Sequence, residues 1–591
     1  MKKIDNITPF SCMGIALVAF SWLAFFLAVF GLFRAWIIIL LAIGLLAAFG
    51  YAIFRWQKKA RLSWDFSLVL IASLLAVLIF SHFTSPTIFT GRDQGSLSNA
   101  AISLAENHKL TSSFPAEKEF FKIYGAGEAL NFPGFYYTRS GDLISQFPIG
   151  YTAYLAAFYA MFGLTGLIVA NACAFFLFLL SFYTIAKKYL EPKPALVALA
   201  AIVTSFVFSW FFKFTLSENL ALALLWFGLS QFLIFLEEED WKNLLVSLLS
   251  FGLLLFVRVE TIAFLAVMAL MLFLKYKKHK PTFKKIFLRR EILAAASLIV
   301  LAFLISLVAS SAFYITFFKG FLNSFLDKGD PSGVAHPLIT STLYILRVFA
   351  TYAILTYLLL ALAALFYFLK KKEFEKLTPY FILLPAFVYL IHPSVSLDHP
   401  WMLRRFVFAV IPTCILYSII FLKDLLKKDV IFYIFSFFLL LTNLMIFSPL
   451  LGVQENPTLL PQLGALSRNF QDNDLILVDR GATGNPWAMM AGPLNLIFKK
   501  QAVYFFNPED LKKIDLTKFN KVYLIIPDDN LNAYEKSGLL ANLITTKSYS
   551  LENLALNETD RTRKEIYTSP VIVPSYLKNY IYGKIYLLRQ P

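Results

Sequence analysis

Long apolar segments alternate with short polar ones along most of the chain, from residue 10 to residue 450. A helix that crosses a bilayer needs roughly 20 predominantly apolar residues, and about 13 segments approach that length. They are 10–33, 35–54, 65–83, 166–186, 194–212, 217–236, 243–258, 259–275, 291–319, 343–369, 378–391, 406–422 and 429–450. The pattern therefore predicts a polytopic α-helical membrane protein.

The pattern changes after residue 450. Short runs rich in β-branched and aromatic residues alternate there with Gly-, Pro- and Asn-rich turns and with helical stretches. The runs are 474–479, 502–506, 521–526 and 584–588. This alternation predicts a small α/β domain over residues 451–591.

Composition agrees with a membrane protein. Charged residues make up 15% of the 591 residues, whereas soluble proteins carry about 25%. The net charge of +17 would favour nucleic-acid binding in a soluble protein. Here the Lys and Arg residues lie largely between apolar segments, where they orient helices in the bilayer, so we predict no nucleic-acid partner. Cys12, Cys173 and Cys414 lie within apolar segments, so neither a disulfide framework nor a Cys-based metal site is indicated.

The positions of Lys and Arg also predict the face that each polar loop occupies, because cytoplasmic loops carry an excess of both. The apolar segment 149–163 is short for a span and decides the outcome. If it crosses the membrane, the basic loops divide between the two faces. If it lies along the interface, one face receives all of them, and we predict that arrangement. These basic stretches are 55–61, 187–193, 275–290, 370–372 and 423–428.

We predict an integral plasma-membrane protein, and this orientation predicts how the chain is organised. The predicted parts are N-terminal spans (1–83), a first external loop with juxtamembrane helices (84–165), the remaining transmembrane core (166–450) and an extracytoplasmic α/β domain (451–591). The polar loops that could carry functional residues then lie on the extracytoplasmic side.

Asp93 is the leading candidate for chemistry, because it opens the long polar interruption that follows the segment 65–83. The residues after it have the apolar face of a helix that lies on a membrane. Asp is also a favourable N-cap residue. The two roles are compatible, because a cap holds its carboxylate rigidly. Arg92 beside it could keep the carboxylate ionised.

The stretch Arg92-Asp93-Gln-Gly, with Asn-Ala-Ala-Ile-Ser-Leu-Ala after it, resembles the first external loop of GT-C fold glycosyltransferases. The resemblance is nearest to the branch of protein O-mannosyltransferases and aminoarabinose transferases. Further matches follow in order, over about residues 60–425. They are Phe147-Pro-Ile-Gly-Tyr151, Thr215-Leu-Ser-Glu218, Val257-Arg-Val-Glu260 and His399-Pro-Trp-Met-Leu-Arg-Arg-Phe406.

The resemblance implies inverting transfer of a sugar from a polyprenyl-phosphate-linked donor to a protein, lipid or glycan acceptor at the outer face of the membrane, among membrane lipids. Asp93 would be the base that accepts the acceptor's proton. Glu218 would be a second catalytic carboxylate and the next candidate for the base. Arg404 and Arg405 would grip the lipid phosphate, since guanidinium groups pair with phosphate oxygens in bidentate geometry. The other implied substrate-binding residues are Arg92, Tyr151, Arg258, Glu260 and His399.

Simpler roles stay open for several of these residues. Arg404 and Arg405 could anchor a span against lipid headgroups. Arg258 and Glu260 could pair with each other across a helix break, and Glu218 is a favourable first-turn acid.

Metal dependence also stays open. The chain has Gln94 after Asp93, where many members of the family have two adjacent acidic residues. His336, His392 and His399 with Asp398 could bind a divalent metal, although their spacing matches no zinc signature.

A transporter or lipid flippase is the alternative function. Transporters tend to have inverted repeats and helices interrupted near the middle of the bilayer. This chain has no evident repeat, and its ionisable residues gather beside one long loop. A glycosyltransferase is therefore favoured, with a non-catalytic lipid-binding member of the fold as a third possibility.

Overall fold

The computed structural model describes residues 8–57, 62–277, 280–311, 313–316, 318–319, 338–391, 398–556 and 570–589. His336 and His392, two of the histidines considered for a metal, lie outside these residues. A break between two helices near residue 260 divides the helices into two sets. The helices before this break are α1 (Thr8–Val29), α2 (Ala35–Gln57), α3 (Trp64–His82), α4 (Asp93–Asn107), α5 (Pro115–Tyr124), α6 (Ile149–Phe162), α7 (Leu164–Tyr189), α8 (Pro192–Val203), α9 (Phe206–Phe212), α10 (Ser217–Glu238) and α11 (Trp241–Leu254).

Further helices follow this break. They are α12 (Thr261–Tyr276), α13 (Lys280–Phe287), α14 (Arg290–Ala309), α15 (Leu338–Thr351), α16 (Leu355–Lys371), α17 (Thr378–Leu383), α18 (Arg404–Val407), α19 (Val410–Leu425), α20 (Asp429–Leu451), α21 (Leu459–Ser467), α22 (Ala491–Leu496) and α23 (Leu531–Lys536). Short 3₁₀ helices include Leu384–Leu390 and Trp401–Leu403.

Within the described ranges, seven helices are long and apolar enough to cross a membrane by length and composition. They are α1, α2, α3, α7, α10, α14 and α20. Three bent helix pairs raise the number to as many as ten: α8 with α9, α15 with α16, and the segment from Trp401 through α18 with α19. The predicted count of about 13 thus stays a prediction. At 14 residues, α6 is about 21 Å long, shorter than the roughly 30 Å hydrocarbon core of a bilayer.

Burial separates the central helices from the peripheral ones. In the apolar window of α10, 94% of the residues are buried inside the protein, against 6% for α2. Helix α10 therefore lies at the centre of the bundle, and α2 leaves its apolar surface for lipid.

The chain forms two sheets outside the helical bundle. The first is a four-stranded antiparallel sheet of order β1-β4-β3-β2. Its strands are β1 (Thr111–Ser112), β2 (Gly127–Glu128), β3 (Phe135–Tyr137) and β4 (Leu143–Ser145).

The C-terminal sheet has the order β6-β5-β7-β9-β8. Its strands are β5 (Leu475–Asp479), β6 (Gln501–Phe505), β7 (Val522–Pro527), β8 (Leu543–Leu556) and β9 (Tyr576–Leu588). Strands β6, β5 and β7 are parallel, while β9 and β8 add an antiparallel hairpin. The predicted C-terminal sheet domain is confirmed, with β8 as a strand that the sequence did not predict.

The two sheets share one hydrophobic core. Phe120, Phe132 and Phe135 from the first long polar loop pack in the same cluster as Leu475 and Leu524 from the C-terminal sheet. The loop and the C-terminal domain therefore form one packed unit.

Candidate active site

Charged side chains from well-separated parts of the chain meet where the first long polar loop joins the helical bundle. They are Asp93 at the start of α4, Glu218 at the start of α10, Arg258 and Glu260 between α11 and α12, and Arg404 and Arg405 in α18. The order of the sequence motifs gave no distances between them. In the structure, ion pairs connect these residues.

Asp93 pairs with Arg404, with 2.5 Å between Oδ2 of the acid and Nη1 of the guanidinium. Asp93 is not the N-cap residue that the sequence suggested. Arg92 occupies the N-cap position of α4, and no side-chain hydrogen bond caps the helix there. The Asp93 side chain is 40% exposed, so its carboxylate is open to a substrate.

A glycine permits the backbone turn that presents Asp93. A Cβ atom on Gly95 would lie 1.6 Å from the carbonyl oxygen of Phe89. The Asn99 side chain closes the same turn, since its Nδ2 donates to the carbonyls of Ile88 (2.6 Å) and Gly95 (2.7 Å). The segment 88–95 is therefore held in place by a side chain of helix α4.

Arg258 joins two carboxylates. Its Nη1 lies 2.8 Å from Oε1 of Glu218, and its Nη2 lies 2.5 Å from Oε1 of Glu260. Arg258 and Glu218 are buried, with 7% and 3% of their side chains exposed. Buried charges of this kind persist only when paired. The pairing across the helix break, an alternative that the sequence left open, is therefore present.

Glu260 connects this pair to the second arginine of α18. Tyr389 donates its hydroxyl hydrogen to Oε1 of Glu260, and Nη1 of Arg405 lies 3.8 Å from the same oxygen. Arg404 interacts electrostatically with Glu218 and Arg258 as well as with Asp93, so the carboxylates and guanidinium groups form one continuous cluster.

Arg92 points to a different set of groups. Its Nη1 lies 2.7 Å from Oδ2 of Asp398, and its guanidinium lies 4.5 Å and 4.7 Å from the ring centres of Trp401 and Trp487. Cation–π contacts of this kind favour guanidinium over ammonium groups. The sequence gave no indication of Trp487, because it lies in the C-terminal domain, almost 400 positions further along the chain than Arg92.

The remaining two predicted site residues, Tyr151 and His399, form hydrogen bonds with residues outside the charged cluster. The hydroxyl of the buried Tyr151 donates to Oδ1 of Asn171 (3.0 Å), whose Nδ2 donates to the carbonyls of Phe212 and Phe214 just before α10. His399, which forms a cis peptide bond with the following proline, lies with Nδ1 3.0 Å from the hydroxyl of Tyr352.

Thr215 links α4 to the start of α10, a role that its motif in the sequence did not specify. Its hydroxyl oxygen lies 2.6 Å from that of Ser98 and 2.7 Å from that of Thr87, and it donates to the carbonyl of Gln94. Thr215 therefore holds the loop before Glu218 against the helix that begins at Asp93.

The donor set does not fit a metal ion. Asp93, Glu218 and Glu260 each pair with a guanidinium group, and the described residues contain no group of three or more His, Cys, Asp or Glu side chains that could hold a metal. We therefore assign no step to a metal.

No protein-family profile matches the chain, and no curated protein matches its sequence. Solved structures have a similar fold. The oligosaccharyltransferase of Archaeoglobus fulgidus, in complex with Zn and sulfate, is 12% identical, with a TM-score of 0.50 over 80% of this chain and 69% of that chain. ArnT from Cupriavidus metallidurans in the apo state is 11% identical, with a TM-score of 0.48 over 82% of this chain and 96% of that chain.

Both of these proteins have the GT-C fold of membrane glycosyltransferases. The likeness to the oligosaccharyltransferase is sufficient to show the fold, so the predicted GT-C architecture is confirmed. With its apolar helices, the chain is a polytopic membrane protein.

Proposed function

We propose that this protein is a membrane glycosyltransferase that moves a sugar from a polyprenyl-phosphate-linked donor to a protein, lipid or glycan acceptor. The observation that carries the proposal is the contact between Asp93 and Arg404, because it joins an accessible carboxylate to a phosphate-binding type of side chain. The GT-C fold supports the same function.

In the proposed reaction, the acceptor's nucleophilic atom attacks the anomeric carbon of the donor. The new glycosidic bond forms as the bond between that carbon and the phosphate oxygen breaks, which inverts the anomeric centre. Asp93 takes the acceptor's proton as general base. The polyprenyl phosphate leaves with the bonding electron pair.

Asp93 is a better base than Glu218 on grounds of access. Its side chain is 40% exposed, whereas that of Glu218 is 3% exposed and pairs with Arg258. We propose that Glu218 and Glu260 instead hold Arg258 and Arg405 in place, with Glu218 as the second candidate for the base.

Arg404 and Arg405 are suited to the departing phosphate. Arg404 uses Nη1 for Asp93, and its buried Nε has no hydrogen-bond partner within the described part of the chain. A guanidinium carries five N–H donors, so Arg404 can hold the base and still donate to a phosphate oxygen. Arg405 adds a second guanidinium beside it. Their pairing with acids of the cluster favours this role over anchoring at lipid headgroups.

We further propose that the site and the C-terminal domain face the extracytoplasmic side of the plasma membrane. Glu218 lies in the first turn of the candidate span α10. Near the other end of this helix, Glu237 pairs with Lys188, one of the two lysines that end α7. Since basic residues favour the cytoplasmic side, the site at the opposite end of α10 is expected outside.

Transfer from labelled polyprenyl-phosphate sugars in proteoliposomes tests the proposal. We expect the wild type to transfer sugar and Asp93→Asn to lose about 100-fold or more of the rate, with donor binding retained. Asp472→Asn is the matched control, because Asp472 is 86% exposed and pairs with Lys500 on the surface of the C-terminal domain. Equal rates for Asp93→Asn and wild type would exclude Asp93 as the base. A wild type that transfers from none of several donors would contradict the function and favour a transporter.

A further inference from the structure

The C-terminal domain reaches the loop that carries Asp93. Residues 480–490, called the docking loop here, connect strand β5 to helix α22. Met489 of the docking loop and Thr90 exchange two backbone hydrogen bonds, of 2.7 and 3.1 Å, in an isolated antiparallel bridge. The C-terminal domain is therefore tied to the chain only three residues before Asp93.

A glycine allows this close approach. Gly91 has a φ of +115°, and a Cβ atom there would lie 2.9 Å from the carbonyl oxygen of Pro486 and 3.0 Å from Cα of Trp487. Few residues other than glycine tolerate that conformation, and no side chain fits the space. The contact between the two backbones is thus specified by the local sequence.

Trp487 extends the contact to a side chain next to Asp93. The Arg92 guanidinium lies 4.7 Å from its ring centre and 4.5 Å from that of Trp401, and Asp398 pairs with the same guanidinium. Arg92 is also the N-cap residue of α4, immediately before Asp93. The Trp487 ring therefore contacts the residue that directly precedes Asp93.

Trp487 is only partly buried at this contact. It is 42% exposed, whereas Trp401, on the same guanidinium, is 3% exposed.

We propose that Trp487 is a positioning residue for the Asp93 base, so that the C-terminal domain completes the active site. This inference rests on the proposed function. Trp487 acts through Arg92: together with Trp401, its ring holds the guanidinium in place. Trp487 itself takes no proton.

A double-mutant cycle between Trp487→Ala and Asp93→Asn tests the inference. We expect Trp487→Ala to lower kcat roughly 10- to 100-fold, the range typical of a misplaced catalytic group, with little change in KM for the donor. Trp487→Phe should recover most of the rate, because the ring is kept. In the Asp93→Asn background the same Trp487→Ala change should have almost no further effect, because there is no base left to position. Additive losses would overturn the inference.

Phe506→Ala is the matched control. Phe506 follows strand β6 of the same sheet, is 43% exposed, and packs near Tyr124 and Tyr504. A loss for Phe506→Ala as large as that for Trp487→Ala would indicate general damage to the domain and overturn the inference.

An active wild type with an inactive Asp93→Asn variant upholds the proposed function whatever the cycle shows. A wild type without activity overturns both.

A cross-link measures the contact without relying on transfer. Residues that exchange both backbone hydrogen bonds have Cα atoms about 5.5 Å apart, within the range of a disulfide. A Thr90→Cys, Met489→Cys variant should therefore oxidise to an intramolecular cross-link, and its oxidised and reduced forms should turn over equally. Failure to cross-link, or turnover only in the reduced form, would contradict a docking loop that stays in place during the reaction.

Discussion

At the scale of single residues, the charged groups of the site depend on each other, and two of them, Arg258 and Glu218, are buried. Arg258 compensates both Glu218 and Glu260. Removing one member of a buried ion pair leaves an uncompensated charge, which typically costs about 3–5 kcal/mol. The stability of this part of the bundle should therefore depend on Arg258 much more than on surface arginines.

We expect Arg258→Gln to lower the free energy of unfolding by about 3 kcal/mol, measured by denaturation in detergent. Arg289→Gln is the control, because 38% of the Arg289 side chain and 46% of the Glu291 side chain are exposed, and ion pairs open to solvent contribute at most about 1 kcal/mol. Adding Glu260→Gln to Arg258→Gln should restore part of the loss. Equal stability of Arg258→Gln and wild type would contradict a compensating role for Arg258.

The sequence suggested candidate residues for the site but did not indicate which of them pair. Asp93 and Arg404 are 311 positions apart, so only the fold brings them together. Arg92 was the expected partner of Asp93 because it is adjacent, yet neighbours in sequence at a helix start point in different directions. The contact of Trp487 with Arg92 was missed because it joins distant parts of the chain. The Asn99 hydrogen bonds are local, but a polar residue in a helical pattern does not show which carbonyls it binds.

At the scale of elements, apolar length predicted most helices, whereas their breaks depend on tertiary contacts. The predicted segment 406–422 is divided between α18 and α19, and the indole N–H of Trp226 donates to the carbonyl of Phe408 at the break. Ala353, with a φ of +58°, stands at the bend between α15 and α16, where the sequence has no glycine to indicate it. Strand β8 contains many polar residues, so its hydrophobic pattern is weak.

Helix α5 carries a carboxyl group that should make stability depend on pH. Burial raises the pKa of Glu117 to about 8; Lys118 opposes this rise and Asp142 adds to it. Between the ordinary pKa and the raised one, the unfolded chain loses the Glu117 proton while the folded protein keeps it. The folded state is then progressively disfavoured as the pH rises.

We expect the unfolding free energy of the wild type to fall relative to Glu117→Gln by roughly 1.4 kcal/mol per pH unit between about pH 5 and pH 8. Denaturation of both proteins across this range measures the difference. Gln cannot ionise, so the variant removes only this contribution. A difference that stays constant with pH would contradict a protonated Glu117 in the folded protein.

At the scale of the whole molecule, α5 also latches the first polar loop to the C-terminal domain. The buried carboxylate of Glu119 pairs with Lys518 of that domain at 2.6 Å and accepts a hydrogen bond from the backbone N–H of Asp515. Although burial raises the pKa of Glu119, these contacts and Lys122 lower it overall. The latch, which consists of Glu119 with Lys518 and the backbone N–H of Asp515, is therefore complete above the ordinary carboxyl pKa. It is lost as the pH falls through the lowered pKa of Glu119.

Because the docking loop belongs to the same domain as Lys518, weakening this latch should loosen the support of Asp93 as well. We expect Glu119→Gln to lower stability by about 2 kcal/mol, the scale of a hydrogen bond to a charged group, and to speed amide exchange in the sheet of strands β1–β4. Glu509→Gln is the control, since Glu509 is exposed and pairs with Lys512 only three residues away. Faster exchange in that sheet for both variants, or for neither, would contradict a latch at Glu119. Faster exchange for Glu119→Gln alone, with reduced sugar transfer, would connect the packing between the two sheets to the position of the base.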